Sequence, residues 1–407
     1  MAKEKKKSPE AQDKAQHRLL TTALISIALS FIVATVVMLA TQIPPGYFFK
    51  ALLRTVTGLD FSKAGTDAFF KPRYIGEFLQ LSLPLICGGM AVGFAYRTGM
   101  FNIGADGQVI AGIVGADVTA LMLPLHGVWL VAASMIAAIC CGALWALIPG
   151  LLKAFFGMHE VVTTIMFNYI AFHLNNYILT SLPGSNPQRT AYLPKDALLT
   201  SERMRQLTGN SRLHNGIWFV IIALFLYYFI INRTSFGYEL RAVGFNRHAS
   251  EYAGINARRR IVDSMLISGA FAGLGGAMVA LGTFDYGRVL GGFENYGFDG
   301  IAVALLGGCT SVGILLGGLL MGALRSGQPL MQAMHVPLEI AQIVSALIIL
   351  FVAMQHGIEY LLDRMQEKRK KRGEPANPEP IVTGENEAIR EAEPVSEAGD
   401  RTAGKEA

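Results

Sequence analysis

Charge is what this chain has least of. Only 16% of its 407 residues are Asp, Glu, Lys or Arg, against the roughly 25% typical of soluble globular chains, while 52% are hydrophobic. That excludes an ordinary soluble enzyme. Cysteine is scarce too: Cys87, Cys140, Cys141 and Cys309 all lie in or beside apolar runs, so neither a disulfide framework nor a metal site with ligand spacing can be written from them. No G-x-x-x-x-G-K-[ST] run occurs anywhere, which excludes the usual phosphate-binding loop on this polypeptide. No glycine triplet period occurs either, so the 44 glycines do not make collagen. They suit close helix–helix approach in lipid, where small residues replace hydrophobic collapse as the packing device.

What is present is a series of uncharged runs near or above the ~20 residues needed to cross a hydrocarbon core. The first, Leu19 to Thr41, is 23 residues long, too long for a secretory signal's apolar region and therefore a retained span. Further runs follow near 75–96, 102–123, 127–150, 160–181, 216–232, 262–284, 297–309, 311–330 and 338–361. They predict an all-α polytopic membrane protein of about ten transmembrane helices. Gly300 to Leu324 would also allow a single tilted helix, but the small and polar Gly307-Gly308-Cys309-Thr310-Ser311 favours a split.

The domain layout is then a basic N-terminus (1–18), a transmembrane body (19–362) and a tail (363–407) that is first basic and then acidic. Lys3 to Lys7 and Lys368 to Arg372 bracket the body, as charges for anionic lipid headgroups rather than for nucleic acid. With both termini inside, about twenty Lys and Arg fall on the inner side and about eleven outside, so the termini are expected in the cytoplasm. The outer loops 42–74 and 182–214 are long enough for short surface helices that receive a partner. The Pro- and Glu-rich segment from Glu374 to Glu406 cannot bury a core and is expected to be disordered.

One internal similarity organises the body. Gly104-Ala105-Asp106-Gly107 with Ala111 and Gly115 matches Gly297-Phe298-Asp299-Gly300 with Ala304 and Gly308 at a constant offset of 193. In the topology above the copies enter from opposite sides, so units of about 75–181 and 262–361 would be inverted repeats, a transporter device for alternating access. Asp106, Asp299 and Glu160 stand at helix starts, where a carboxylate accepts backbone N–H bonds and complements the dipole. Ionisable groups at membrane depth also carry a functional reading.

The stretch Arg233 to Arg260 is polar and basic between two apolar spans and reads as a turn-helix-turn. Gly244 and Gly254 bracket a short helix on which Ala249, Tyr252 and Ala253 share one face, as a rigid knob for a partner's cleft requires.

Three motifs carry a resemblance. "LRAVGFNRHASEYAGI" (Leu240 to Ile255) is similar to the cytoplasmic coupling loop of permease subunits of ATP-binding-cassette importers, in the branch serving ribose, branched-chain amino acids and nucleosides. "RTGMFNIGADGQ" (Arg97 to Gln108) resembles that branch's segment opening the third span, and "HEVVTTIMFNYIA" (His159 to Ala171) resembles its nucleoside-transporting, guanosine-type subgroup. The resemblance covers nearly all of 75–361; the acidic tail and lengthened outer loops depart from it. It implies a permease subunit in a bacterial cell membrane that binds no cofactor itself. ATP and Mg2+ would sit on a separate ATPase subunit, alongside a second, homologous permease chain and an extracellular solute-binding lipoprotein or periplasmic protein. Coupling would run through Glu239, Arg241, Gly244, Asn246, Ala249, Tyr252 and Gly254.

A nucleoside pathway needs an aromatic face and amide or carboxylate partners. Phe167, Asn168, Asn175 and Asn176 in span 160–181, with Asn102 and Gln108, are the candidates; the same amides can equally serve as interhelical hydrogen bonds, and Phe167 as packing. Alternatives are a pentose or branched-chain amino acid as cargo, or an ion-coupled secondary transporter. The latter would need clustered carboxylates, where the sequence has single scattered acids. His159, His173 and Glu160 form no familiar metal or acid–base pattern, so no catalytic residue and no metal site are expected.

Overall fold

Proline and glycine set most of the helix boundaries. The computed structural model describes residues 9–60, 69–354 and Arg364; the expected acidic tail lies outside the described residues. Helix α1 (Pro9–Ala40) begins ten residues before the apolar run, because the polar stretch leading into it is made of good helix formers such as Ala, Gln and Lys. Helix α2 (Pro45–Thr57) has Pro at its first position and ends at Gly58, whose left-handed backbone (φ 73) returns its N–H to the Arg54 carbonyl. Then come α3 (Pro72–Tyr96), α4 (Ala105–Met122), α5 (Val128–Phe156), α6 (Glu160–Ser181), strand β1 (Arg189–Tyr192) and the short α7 (Glu202–Leu207). The second half holds α8 (Gly216–Arg233), α9 (Ser235–Phe245), α10 (Arg247–Tyr252) and α11 (Ala257–Met278), which a π-helical turn, Val279–Thr283, prolongs. Strand β2 (Tyr286–Arg288), α12 (Tyr296–Leu306), α13 (Ser311–Ala333) and α14 (Leu338–Ala353) complete it.

A helix covers every apolar run as far as it is described. Pro72–Tyr96, Ala105–Met122, Val128–Phe156, Gly216–Arg233 and Ala257–Thr283 are long and apolar enough to cross a membrane, which makes the chain a polytopic membrane protein. The run 297–330 is divided, as its small residues predicted: Gly308 (φ 54) and Cys309 (φ 51) turn left-handed after α12, and the Thr310 hydroxyl accepts the Gly313 N–H, 3.1 Å away, to start α13. The stretch read as a turn-helix-turn holds the short helix expected between Gly244 and Gly254, α10, and a second one, α9, before it. Extended Asn246 (φ −155) separates α9 from α10, and its side chain caps α10 by accepting the Ala249 N–H.

Contacts bind Ala23–Met354 into one unit built around α3 and α11, whose apolar windows are 89% and 83% buried; those of α5 and α8 are only 28% and 33% buried. The latter two present Trp129, Phe156, Trp218 and Phe225 outward, as helices facing lipid must. Packing is reciprocal: α12 lies on α3 as α4 lies on α11, and α13 on α3 as α5 on α11. Small residues permit it. A Cβ on Gly88 would stand 2.6 Å from the Tyr296 carbonyl oxygen, and one on Gly112 2.7 Å from Gly273, so larger side chains would force the helices apart.

Strands β1 and β2 pair antiparallel, Arg189 opposite Arg288 and Tyr192 opposite Tyr286, joining two loops that are far apart in sequence. Next to the π-helical turn His214 is buried, its Nδ1 accepting the Gly216 N–H at 3.1 Å and its ring lying where a Cβ on Gly282 of that turn would have to go. Burial pushes its pKa down to about 4.

Candidate functional site

The two Gly-Asp helix starts that the repeat singled out meet inside the bundle. The Gly297 N–H at the start of α12 donates to Asp106 Oδ1 in the first turn of α4, 2.8 Å away. A Cβ on Gly297 would overlap the backbone of Ala105 and Asp106, so only glycine admits the approach. Asp106 and Asp299 stand in the first turns of α4 and α12, as expected of helix-start acids, but their partners lie on other helices. Asp106 serves the opposite helix, and Asp299 faces Arg325 of α13 at 3.4 Å. Two helix N-termini abutting bring together roughly half a positive charge each, and two carboxylates with one guanidinium balance them. Such buried helix ends need partners for their free N–H groups.

The amides supply those partners. Asn168 of α6 accepts the Gly107 N–H (2.8 Å) and donates to the Ile103 carbonyl (3.0 Å). Asn102 accepts the Gly104 N–H (3.0 Å) and donates to Gln108 (2.9 Å) and to Ser268 of α11 (2.8 Å), whose hydroxyl donates on to the Ala91 carbonyl of α3. Asn176 both donates to and accepts from the backbone of Leu290, at 2.8 Å each way, while Asn175 donates to Asn176 (3.1 Å) and to the Arg288 carbonyl (3.3 Å). The asparagines of α6 tie it to α4 and to the end of β2. Phe167 is half-buried, edge-on to Trp145, whose indole N–H donates to the Phe167 carbonyl. Glu160, in the first turn of α6, takes Lys153 Nζ at 2.6 Å.

A second constellation lies at α9–α10, away from the amides. Arg260 of α11 pairs with Glu239 (2.6 Å) and Asp263 (2.8 Å) and sits over the Phe236 ring, which clamps α9 to α11. Arg241 donates to the Gly237 carbonyl. Gly244 abuts the link between α3 and α4, where an added Cβ would stand 2.5 Å from the Arg97 carbonyl. Arg97 in turn donates to the carbonyls of Cys309 (3.2 Å) and Gly308 (3.4 Å), and the Tyr227 hydroxyl joins it on Cys309 (2.8 Å). Gly254 (φ 85) ends the turn after α10. Ala249 is exposed, and Phe245 and Tyr252 stand 91% and 98% exposed.

Sequence reasoning missed three groups. Arg97 stood out only as the first residue of a motif, although a single Arg at the end of a buried helix invites a search for carbonyl partners. Asp117 of α4 is fully buried against Gly287, and neither carboxylate oxygen has a hydrogen-bond partner among the described residues; an acid within an apolar run was the available signal. The third is a polar cavity of about 520 Å³ beside β2, lined by Gln188, Tyr286, Arg288, Phe293, Glu294 and Arg325 among others. Among the described residues no group of three or more His, Cys, Asp or Glu is placed to hold a metal ion.

Comparison with known proteins agrees with this architecture. The family model for the branched-chain amino acid transport system permease component matches residues 74–353. The guanosine ABC transporter permease protein NupP of Bacillus subtilis is 42% identical over 350 residues, covering 86% of this chain and 97% of that protein. The nucleoside ABC transporter permease protein NupB of Lactococcus lactis is 35% identical over 371 residues, 88% of this chain and 99% of that protein. The glucose ABC transporter permease protein TsgB13 of Haloferax volcanii is 32% identical over 288 residues, 68% and 75% of the two chains. No solved structure matches. The fold, the paired helix starts and this match over most of the chain lead to one assignment: the chain belongs to the family of branched-chain amino acid transport system permease components.

Proposed function

We propose that this chain is the membrane-spanning subunit of an ATP-binding-cassette importer that takes up nucleosides. The observation that carries the reading is its likeness, over 86% and 88% of its length, to permeases named for guanosine and for nucleosides. The chain crosses a bacterial cell membrane about ten times with both termini in the cytoplasm, and 75–181 and 262–361 are inverted repeats. The reciprocal packing of α3 and α11 and the meeting of α4 with α12 support this, since broken helices whose N-termini meet near the midplane are how such repeats build a path.

ATP and Mg2+ are held by a separate ATPase subunit and no cofactor by this chain. A second, homologous permease and an extracellular solute-binding protein complete the complex. The exposed α10 with Phe245 and Tyr252 is the surface the ATPase grips. Its motion passes through Gly244 to the α3–α4 link, and through Arg97 to the turn joining α12 and α13, so one push reaches both broken helices. Rigid-body transitions of this kind need two packed states biased by differential contacts. Asn102, Gln108, Asn168, Asn175 and Asn176 hold the walls of the path in register, with Phe167 packing behind them.

The test is uptake of labelled nucleosides by cells carrying the complete transporter, with unlabelled nucleosides, ribose, glucose and leucine as competitors. Competition by nucleosides alone is expected. The glucose permease relative favours sugar as the second reading, and competition by sugar but not by nucleosides would establish it.

A further inference from the structure

The exposed side chains in the middle of the helices are hydrocarbon or thiol, with one exception. More than two turns from either end, the exposed positions of α1, α5 and α8 are residues such as Ile32, Ile136, Leu144 and Phe225, as contact with lipid requires. Among the described residues only Tyr169 and His173 of α6 bring nitrogen or oxygen to such a position. The 22 residues of α6 span ~33 Å, and His173 stands ~20 Å from its start and ~12 Å from its end, at 1.5 Å per residue. Tyr177 and Thr180, nearer the end, would suit a membrane interface. An imidazole this far inside does not suit hydrocarbon.

The same face changes character along its length. Val162, Met166, Tyr169, His173, Tyr177 and Thr180 are all exposed and fall within ~80° of one another on a helix of 3.6 residues per turn. Toward the Lys153–Glu160 pair the face is apolar; toward the β1–β2 sheet it carries hydroxyls and an imidazole. Ile170 and Leu174 border it on one side, so the polar strip is narrow. A strip that is polar at one end and apolar at the other is what a path closed at one end presents, because an apolar constriction excludes water. We propose that this face of α6 lines the path where the chain meets the second permease. Tyr169, His173, Tyr177 and Thr180 form an outer vestibule in which His173 is the deepest polar contact for the solute, and Val162 and Met166 form a dry inner gate. Imidazole both donates and accepts, which suits an uncharged solute with hydroxyls. The assignment rests on the importer reading for the second permease and for which end of α6 is outside.

The test is thiol labelling of the complete transporter in right-side-out membrane vesicles without ATP, using a charged, membrane-impermeant methanethiosulfonate added outside and read on this chain alone. Cys140, the exposed native thiol, is first removed as Cys140→Ala, and that chain sets the background. Tyr169→Cys, His173→Cys and Tyr177→Cys should react at least about tenfold faster than Leu144→Cys on α5, since a thiol in hydrocarbon is held out of its reactive thiolate form. Val162→Cys and Met166→Cys should react no faster than Leu144→Cys. In ATP-loaded vesicles the charged adduct on His173→Cys should reduce nucleoside uptake to background. Three positions report on the vestibule, so the test survives the misfolding of any one. Background labelling at every folded vestibule variant would overturn the assignment by placing the face against lipid or packed protein. Labelling of Val162→Cys and Met166→Cys as fast as His173→Cys would remove the gate, and uptake that survives complete modification would remove the path. Any of these results in vesicles that still import nucleosides strikes the α6 assignment alone. Uptake by the lone chain, without the second permease, strikes the importer reading instead.

Discussion

The two ends of the bundle keep their exposed chemistry in opposite forms. At the α9–α10 end the charges of Glu239, Arg260 and Asp263 pair within the chain, and what is left bare is aromatic, Phe245 and Tyr252 on short, capped helices. At the β1–β2 end the rings lie against one another or beneath guanidinium groups, and what is left open is a polar cavity. Bare aromatic side chains on a rigid element suit a protein partner, whereas an open polar cavity of this size falls in the range of small-molecule sites. In the proposed reading gripping and passage are separated in space, and Gly244, Arg97 and the turn at Cys309 carry motion away from α9.

The comparison breaks most severely at that link. Gly244→Leu should reduce uptake to background while the chain still inserts in the membrane, because the new side chain collides with the Arg97 carbonyl; uptake at wild-type rate with normal membrane fractionation would remove Gly244 from the coupling route. Next, Phe245→Ala combined with Tyr252→Ala should weaken association with the ATPase by about 2 kcal/mol or more, roughly thirtyfold. Thermal stability should stay unchanged, since neither side chain is buried. A titration of ATPase against the detergent-solubilised variant would show equal affinity if the knob is only a surface turn.

Smaller effects sharpen the contrast at the meeting point of α4 and α12. Asp106→Ala leaves the Gly297 N–H buried without its acceptor, at about 1–3 kcal/mol, and should lower the melting temperature, with Asp106→Asn recovering part of it because an amide oxygen still accepts. Equal melting of all three proteins would mean that the bond contributes nothing. The least effect is expected at His214. Its folded pKa of about 4 lies below the ~6.5 of an unfolded chain, so its contribution is complete above pH 6.5 and is lost as pH falls toward 4, by about 1 kcal/mol at pH 5.5. His214→Gln should flatten that loss, and an unchanged pH profile of thermal melting would show that this residue does not set it.

Much of this was legible from local pattern. Uncharged run length located the helices, and the offset of 193 singled out the two Asp-bearing helix starts, though not that they meet. The polar interruption at Gly307 to Ser311 marked a real break. What local pattern could not reach was partnership over distance. Asp299 finds Arg325 on α13, 26 residues away, and Asp106 finds Gly297 from 191 residues away, while carboxylates at helix starts read locally as caps. The two-stranded sheet escaped notice because its strands are four and three residues long and lie in separate loops. Arg288 and Glu294 therefore read as loop charges, not as the walls of a cavity. The amides read as either pathway or glue, and only their partners show Asn102 and Asn168 holding the start of α4 and Asn175 and Asn176 holding the end of β2.

The most direct test of the central claim places the purified chain in sealed vesicles, alone or with its ATPase, homologous permease and solute-binding protein, and follows labelled nucleoside. Accumulation only in the complete assembly, and only with ATP on the ATPase side, is the expected result. Accumulation by the lone chain on a sodium or proton gradient would contradict it.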